Sequence, residues 1–466
     1  MKTNRLFFAC LILLISLDVQ SENAPNIVVI FADDMGYGDL GTYGHPTIRT
    51  PNLDQMAAEG MKFTQFYAAA SVCTPSRAGL LTGRLPVRSG MASDKVRVLF
   101  PDSVNGLPAE EITIAEALKE KGYATAAIGK WHLGHHARFL PLNNGFDSYF
   151  GIPYSNDMDR VVGGEFRDPF WEPKVEFWNV PLMRDNEIIE RPANQHTITR
   201  RYTEEAVKFI RDHDDSPFFL YLAHSLPHVP LFRGEAFAGV SQRGLYGDVI
   251  EEIDWSAGRI IDTLRETGLA DNTLVFFTSD NGPWLVFDTH GGSAGLLREG
   301  KGTTWEGGMR EPAIAWWPGT IAAGSNETAV TSTLDLFPTA LAMAGVELPS
   351  DRIIDGRNML PMLKGESSEA IRDVFIFYRG STIYAARKGS WKAHFITESA
   401  YTSDNQYTEH DPVLLFNLDE DPSEKYNVAE HHPEIIDEIE AAVAEHRANL
   451  VAYPDQLAER TGSTGN

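Results

Sequence analysis

The sequence predicts an α/β protein with a large, mostly parallel, doubly wound sheet flanked by helices, and a smaller C-terminal antiparallel sheet with one helix. Continuous β-branched and apolar runs, typical of strands buried on both faces, alternate with segments of helical periodicity. This alternation, with right-handed crossovers, gives a doubly wound sheet. The final part of the chain instead carries short strands separated by turn residues, which indicates a second, smaller unit.

The elements of the large sheet follow from these two patterns in chain order. Buried apolar runs predict strands over residues 26–32, 123–128, 218–223 and 273–278. Apolar residues at helical spacing predict helices over residues 51–60, 78–82, 113–121, 202–211 and 248–264. Residues 152–196 are rich in Pro, Trp, Asn and charge without clear periodicity, and we interpret them as a long excursion over the site.

The chain divides into three predicted parts: residues 1–21, 22–365 and 366–466. Lys2 and Arg5 precede a short apolar run, which is typical of a secretory signal peptide cleaved after Ser21. A short membrane anchor is the alternative. Residues 22–365 form the large α/β domain. Residues 366–466 form an α+β subdomain, with strands predicted at 373–378, 382–388, 391–395 and 414–417 and a helix at 434–450.

The net charge of −25 argues against nucleic acid or an anionic membrane as a partner, because both require a positive surface. If the substrate is anionic, its site must be a locally positive region of a negative protein. Of the two cysteines, Cys10 lies in the predicted signal peptide, so an exported chain would carry one thiol and no internal disulfide. We therefore expect a secreted or periplasmic protein. A homodimer is compatible with the sequence.

The stretch around Cys73 is the strongest candidate for chemistry. Pro75 suits the first turn of a helix, and Gly83 closes the apolar run that follows. Cys73 would then lie at the positive end of this helix, facing whatever binds there. The alternative is that Cys73 is a small buried hydrophobic residue, as free cysteines often are.

Acidic and amide side chains follow two of the most apolar strands. Asp33 and Asp34 end the first strand, and Asp280 and Asn281 end the strand over 273–278. If these strands are neighbours, their oxygen atoms converge, and clustered carboxylates repel each other without a cation between them. All-oxygen ligands favour a hard divalent ion, calcium above magnesium. The alternative is two ordinary strand-to-loop turns.

Cationic and imidazole side chains occupy similar positions in the sequence. Lys130 and His132 follow one strand, His228 follows another, Lys301 is flanked by glycines, and Arg77 follows Cys73. Each alone is compatible with a surface charge or a helix cap. Together with a metal they describe a pocket for a tetrahedral oxyanion, with cations for its oxygens, a histidine to move protons and a nucleophile.

These motifs resemble those of a known family. The runs 73–77 (CTPSR) with 81–84 (LTGR), and 129–134 (GKWHLG), are similar to the two signatures of the type I, formylglycine-dependent sulfatases. The resemblance extends from about Pro25 to residues 421–424. Within the family, the chain resembles the group of arylsulfatase A and N-acetylgalactosamine-6-sulfatase. Residues 246–248, 311–319 and 392–395 favour the latter. The family's fold is alkaline-phosphatase-like, which agrees with the predicted sheet.

The resemblance implies a role for each candidate residue. A separate formylglycine-generating enzyme would convert Cys73 to formylglycine, whose hydrated aldehyde attacks sulfur with one hydroxyl and expels sulfate with the other. Calcium would be bound by Asp33, Asp34, Asp280, Asn281 and the modified Cys73, with Arg77 supporting this centre. Lys130 and Lys301 would bind sulfate oxygens, His132 would accept a proton from the hydrate, and His228 would be the general acid at the leaving oxygen, which Lys301 also faces.

Several functions fit this pattern. The first is a sulfatase acting on the 6-O-sulfate of galactose or N-acetylgalactosamine units in a sulfated glycan. A general arylsulfatase with another natural glycan, and a phosphodiester or phosphonate monoester hydrolase of the same superfamily, are alternatives. A protein that binds sulfated glycans without catalysis is a further alternative. The complete set of candidate nucleophile, metal ligands and acids argues against it.

Overall fold

The computed structural model describes residues 24–163, 168–400 and 406–461. The predicted signal peptide, residues 1–21, lies outside these ranges. Within them the chain forms an eleven-stranded sheet and a four-stranded sheet, with helices packed against both. No helix in the described ranges has the length and apolarity needed to cross a membrane.

The strands of the large sheet are β1 Asn26–Ala32, β2 Met61–Tyr67, β3 Ala124–Lys130, β4 Ser148–Ile152, β5 Leu182–Arg184, β6 Glu187–Glu190, β7 Phe218–Ala223, β8 Thr273–Ser279, β9 Arg310–Trp316, β10 Ser325–Glu327 and β11 Thr331–Ser332. The small sheet consists of β12 Val374–Arg379, β13 Thr382–Lys388, β14 Trp391–Thr397 and β15 Thr408–Asn417.

The α-helices are α1 Pro51–Glu59, α2 Cys73–Thr82, α3 Pro86–Ser89, α4 Ile114–Lys119, α5 Asp168–Trp171, α6 Ile198–Asp212, α7 Leu245–Glu266, α8 Glu306–Met309, α9 Leu336–Met343, α10 Leu360–Leu363 and α11 Pro433–Ala448. Short 3₁₀ turns lie in several of the connections.

The large sheet is mostly parallel, as predicted. Its strand order is β10-β2-β9-β8-β1-β7-β3-β4-β5-β6, and β11 pairs with β2. Strands β8, β1, β7, β3 and β4 run parallel at its centre, whereas β9, β5 and β6 join through antiparallel pairs. The carboxyl ends of the central strands therefore meet at one edge of the sheet, where open α/β sheets bind ligands.

Strand β1 shows why the sheet is covered on both faces. Val28, Ile30 and Ala32 enter one hydrophobic cluster, which also contains residues of α1, α6 and α7. The alternate residues Ile27, Val29 and Phe31 enter a second cluster with residues of α2, α4 and α9. Because successive side chains of a strand point to opposite faces, a run without polar residues is buried by helices on both sides.

The sequence prediction missed several strands. β2 carries Lys62, Thr64 and Gln65 among its apolar residues, so it lacks the continuous run that marks the central strands. β9 was also missed, although it is wholly buried. The segment 152–196 was interpreted as an excursion, but it also adds β5 and β6 to one side of the sheet.

The small C-terminal sheet agrees with the prediction. Its four strands are antiparallel neighbours in the order β12-β13-β14-β15. Ile439 and Val443 of α11 pack in one cluster with Ile376 of β12 and Ala386 of β13. The helix therefore covers one face of this sheet, which needs such packing because a few strands alone are only marginally stable.

A buried charged network joins the two sheets. Glu306 at the start of α8 accepts hydrogen bonds from Lys392 Nζ of β14 at 2.8 Å and from Tyr67 Oη of β2 at 2.6 Å. Glu424 accepts one from the Glu306 amide at 2.7 Å and lies 3.1 Å from Lys392 Nζ. Lys392 and Arg310 outweigh the effect of burial and lower the pKa of Glu306 to about 2, so Glu306 is ionised at neutral pH.

The change Glu306→Gln tests this network. It keeps the side-chain volume but leaves buried cations without full compensation, so we expect the free energy of unfolding to fall by roughly 3–5 kcal/mol. The measurement is denaturant unfolding followed by circular dichroism. The control is Glu204→Gln, in an exposed pair with Arg200, for which about 1 kcal/mol or less is expected. If the free energy of unfolding fell by the same amount in the two variants, a structural role for the network would be contradicted.

Candidate active site

The predicted acidic residues meet because β1 and β8 are parallel neighbours. Ala32 and Ser279, the last residues of the two strands, lie opposite each other in the register. The next residues continue this pairing: Asp34 N donates to Asp280 Oδ1 at 3.1 Å, and Asn281 Nδ2 donates to Asp34 Oδ1 at 2.7 Å. The two acidic strand ends thus form one cluster.

The cluster has the properties of a metal site. Ligand atoms of Asp33, Asp34, Asp280 and Cys73 all lie within 4.8 Å of one another, and all four residues are buried. Asn281 Oδ1 is buried and has no hydrogen-bond partner among the described residues. An oxygen left without a partner beside three carboxylates fits a hard divalent cation, which this donor set would coordinate.

The carboxylates also perturb one another electrostatically. Burial and the negative charges of Asp33 and Asp280 raise the pKa of Asp34 to about 7, although Lys301 opposes this shift. Asp33 behaves in the opposite way, because Lys130 and Arg77 overcome burial and hold its pKa well below the usual range. A bound cation would favour the ionised form of all three groups.

Three cations from separate elements surround the cluster. Lys130 Nζ lies 2.7 Å from Asp33 Oδ2, Lys301 Nζ lies 2.8 Å from Asp34, and Arg77 Nη2 lies 2.8 Å from Asp280 Oδ2. These three cations balance the charges of the three carboxylates. A divalent ion would then leave the centre with a net positive charge, which suits an anionic ligand.

Cys73 is the first residue of α2, as predicted, and it faces the cluster. Val72 before it is extended, and Gly83 ends the helix with a left-handed φ of 66°. The Cys73 thiol lies 3.5 Å from Asp33 Oδ1 and 3.4 Å from Lys301 Nζ. Burial raises the pKa of Cys73 well above its usual range, despite the nearby lysines. With no cation in the centre, an unmodified cysteine here would therefore stay a thiol and be a weak nucleophile.

His132 has one ring nitrogen available. Its Nε2 lies 2.8 Å from the carbonyl oxygen of Leu99, which can only accept, so Nε2 carries the proton. Nδ1 is then an unprotonated acceptor, and it is buried with no partner among the described residues. Burial, with the nearby charge of Lys130, lowers the pKa of His132 well below its usual range. The Thr74 hydroxyl, next to Cys73, donates to the His132 carbonyl at 3.0 Å.

His228 lies close to Asp34. Its Nδ1 donates to the Val229 carbonyl oxygen at 2.6 Å, so Nε2 is the nitrogen that faces the cluster, 3.6 Å from Asp34 Oδ2. The ring packs against Trp284, with the two centroids 5.3 Å apart. Burial and the charge of Lys301 lower the pKa of His228 well below its usual range.

The structure brings all the residues predicted for the site together and adds two that the sequence analysis missed. Ser155 Oγ accepts from Lys130 Nζ at 3.2 Å and lies 3.5 Å from His228 Nε2. Trp284 contacts both His228 and Lys301, whose Nζ lies 4.5 Å from the ring centre. Ser155 follows the short apolar strand β4, and this strand-end position was the signal available in the sequence.

The fold and the site fit the class of hydrolases built on an open α/β sheet, because a buried cluster of carboxylates, lysines and a thiol lies at the carboxyl ends of its strands. The sequence model of the sulfatase family matches residues 25–346, and that of the C-terminal region of aryl-sulfatase matches residues 370–464. The chain therefore belongs to the sulfatase family, whose members are sulfuric ester hydrolases.

Several relatives match most of the chain. Arylsulfatase A of Bos taurus is 42% identical, over 96% of this chain and 93% of its own length. N-acetylgalactosamine-6-sulfatase of Sus scrofa is 44% identical, over 93% and 88%. The crystal structure of PsFucS1 sulfatase from Pseudoalteromonas sp. is 30% identical, over 94% of this chain and 92% of that chain, with a TM-score of 0.80.

A hard divalent cation bound by this donor set would stabilise the fold, and calcium is the ion used to test this. A ligand that binds only the native state adds about 2.7 kcal/mol when its concentration is 100 times Kd. We expect calcium to raise the melting temperature of the wild type and chelator to reverse this shift. The change Asp280→Asn should remove most of the shift, because it replaces a carboxylate of the cluster. The exposed Asp262→Asn on α7 is the control and should keep it. If calcium raised the melting temperature of Asp280→Asn as much as that of the wild type, the assignment of Asp280 to the metal site would be contradicted.

Proposed function

We propose that the protein hydrolyses the 6-O-sulfate of galactose or N-acetylgalactosamine units in a sulfated glycan, using formylglycine made from Cys73 and one calcium ion. The observation that carries the reaction is the convergence of Cys73, three carboxylates and two lysines on one buried centre. The similarity to N-acetylgalactosamine-6-sulfatase supports this substrate, together with the motifs over residues 246–248, 311–319 and 392–395.

The residues that would hold the ion are Asp33, Asp34, Asp280, Asn281 and the modified residue 73. When bound, the ion supplies Lewis-acid polarisation and fixes the orientation of the sulfate. Residue 73, once converted to formylglycine, would supply a hydrated aldehyde with one hydroxyl for attack on sulfur and a second for the release of sulfate. Arg77 holds this centre in place, because its guanidinium binds Asp280 and donates to the Lys130 carbonyl oxygen at 2.9 Å.

The protein's own residues then bind the ester and move protons. Lys130 and Lys301 would neutralise sulfate oxygens, and His132 Nδ1 would accept a proton from the nucleophile during sulfate release. His228 Nε2 would donate a proton to the leaving oxygen. Lys301 disfavours the protonated form of His228, but an anionic sulfate ester bound beside both groups would oppose this effect and raise the pKa of His228.

The route to the mature protein follows from the same proposal. A formylglycine-generating enzyme would act on Cys73, and export with removal of residues 1–21 would place the enzyme in the periplasm or outside the cell. We propose residues 22–365 as the catalytic domain and 366–466 as the C-terminal subdomain. The alternatives are an arylsulfatase with another natural glycan and a phosphodiester or phosphonate monoester hydrolase, which would release phosphate faster than sulfate.

The first test is sulfate release by protein co-expressed with a formylglycine-generating enzyme. The substrates are N-acetylgalactosamine 6-sulfate, its 4-sulfate, galactose 6-sulfate, glucosamine 6-sulfate, an aryl sulfate and an aryl phosphodiester. We expect fast release from a 6-sulfated galacto-sugar and no release by Cys73→Ala, which lacks the nucleophile. Turnover of the aryl sulfate alone would keep the sulfatase mechanism and contradict the 6-sulfate assignment.

The role of His228 predicts a dependence on the leaving group. A sugar alcohol needs a proton as it leaves, whereas a nitrophenolate is stable without one. We therefore expect His228→Ala to lower kcat for the sugar sulfate by about 10²–10⁴-fold, and to lower kcat for nitrophenyl sulfate far less. The exposed His136→Ala is the control. Equal losses for both leaving groups would show that His228 binds the sulfate or shapes the site without acting as the acid.

A further inference from the structure

A cleft of about 400 Å³ opens beside the candidate active site. Its wall contains Val72 and Pro75, which flank Cys73 in sequence, and Gly302, which follows Lys301. The rest of the lining comes from the loop over residues 92–97 and from the turn between β12 and β13. The Gly302 amide donates to the Ser71 carbonyl oxygen at 2.8 Å, so this wall is fixed to the start of α2. The volume is in the range of small-ligand sites.

Two arginines meet at Gly302. Arg379 Nε donates to the Gly302 carbonyl oxygen at 3.1 Å. Arg97 also lies against this glycine, because a Cβ atom added to residue 302 would come within 2.7 Å of Arg97 Nη1. Gly302 also has a left-handed φ of 84°, a backbone conformation that favours glycine. Both guanidinium groups therefore lie against the residue that follows Lys301.

The two arginines differ in their partners. Arg379 is ion-paired with Glu398, and its Nη1 donates to Tyr384 Oη at 3.2 Å, so its orientation is fixed. Arg97 is exposed to the cleft, and among the described residues its guanidinium makes no hydrogen bond or ion pair. Burial and the charge of Arg97 lower the pKa of Arg379 to about 10, so Arg379 is still protonated at neutral pH.

Positive charge in this cleft stands out because the protein carries a net charge of −25. Asp94, which also lines the cleft, is engaged by the amide and hydroxyl of Ser381. Lys95 is exposed beside Arg97, and neither has a carboxylate partner in the described part of the chain. A planar guanidinium without an ion-pair partner can bind carboxylate or sulfate through two parallel hydrogen bonds.

We propose that Arg97, with Arg379 beside it, binds a second anionic group of the glycan, a carboxylate or a sulfate on the sugar next to the one that is desulfated. This inference rests on the proposed function and narrows its substrate class to glycans with two or more anionic groups. The adjacency of Lys301 and Gly302 places the second group next to the sulfate that is cleaved. Arg97 is a specificity residue in this account, because it does not touch the reacting atoms.

The test compares matched disaccharides. One carries a 6-sulfated galacto-sugar linked to a uronic acid, and the second is the same molecule with its carboxyl group reduced to an alcohol. In a third disaccharide, a sulfate on the neighbouring ring takes the place of the carboxyl group. This molecule distinguishes sulfate from carboxylate as the bound group. We expect the wild type to prefer one of the dianionic disaccharides, and Arg97→Gln to lower the ratio of kcat/KM for dianionic over monoanionic substrate by about tenfold. The exposed Arg200→Gln on α6 removes the same charge elsewhere and should keep the ratio.

A binding measurement separates this proposal from the proposed function. Calorimetry on Cys73→Ala, which cannot turn over substrate, should show about tenfold weaker binding of the preferred dianionic disaccharide when Arg97→Gln is added. Absence of sulfate release from every ester by the wild type would overturn the proposed function, while this difference in binding would still support the subsite. Two results would overturn the subsite. One is that Arg97→Gln releases sulfate with the wild-type ratio of kcat/KM for dianionic over monoanionic substrate. The other is that Cys73→Ala binds the dianionic disaccharide equally well with and without Arg97→Gln.

Discussion

The close approach of three carboxylates at the ends of β1 and β8 is the constraint on which the rest of the structure depends. Ligand atoms of Asp33, Asp34 and Asp280 lie within 4.8 Å of one another, and each such pair of charges repels by about 3 kcal/mol at an effective dielectric of about 20. The compensating cations come from distant parts of the chain: Arg77 from α2, Lys130 from β3 and Lys301 from the loop before α8. Neutralising the cluster therefore requires these three elements to meet at one edge of the sheet.

The backbone at the strand ends is adapted to this convergence. Asp34 and His132 both have left-handed φ values, 67° and 61°, which cost a non-glycine residue about 1–3 kcal/mol. Each is held by neighbouring groups: the Asp34 amide donates to Asp280, and the His132 amide donates to the Pro153 carbonyl oxygen. Gly129 must be a glycine, since a Cβ there would lie 1.7 Å from the Ala223 carbonyl oxygen. Local strain is thus offset by contacts that the site itself provides.

The sequence predicted much of this site because its residues follow apolar strands. Parallel strands bring their carboxyl ends together, so the positions of Asp33, Lys130 and Asp280 could be inferred from strand runs alone. Trp284 was missed because its contacts with His228 and Lys301 depend on how a loop crosses the sheet edge, which no local pattern records. Ser155 was missed because the strand before it, β4, was not predicted. The same limit applied to the edge strands of the large sheet, which are short or mix polar with apolar residues.

The C-terminal sheet contributes to the site as well as to stability. Arg379, at the end of β12, donates to the carbonyl oxygen of Gly302, the residue after Lys301. Lys392 of β14 donates to Glu306 and to the Thr304 carbonyl oxygen at 2.8 Å, so the same sheet holds the loop that follows Lys301 from two directions. Because Lys301 Nζ must lie against both Asp34 and Cys73, the position of this loop determines the geometry of the buried centre. Packing of the small sheet on the large one therefore completes the wall of the cleft and fixes the lysine that its anionic ligand would meet.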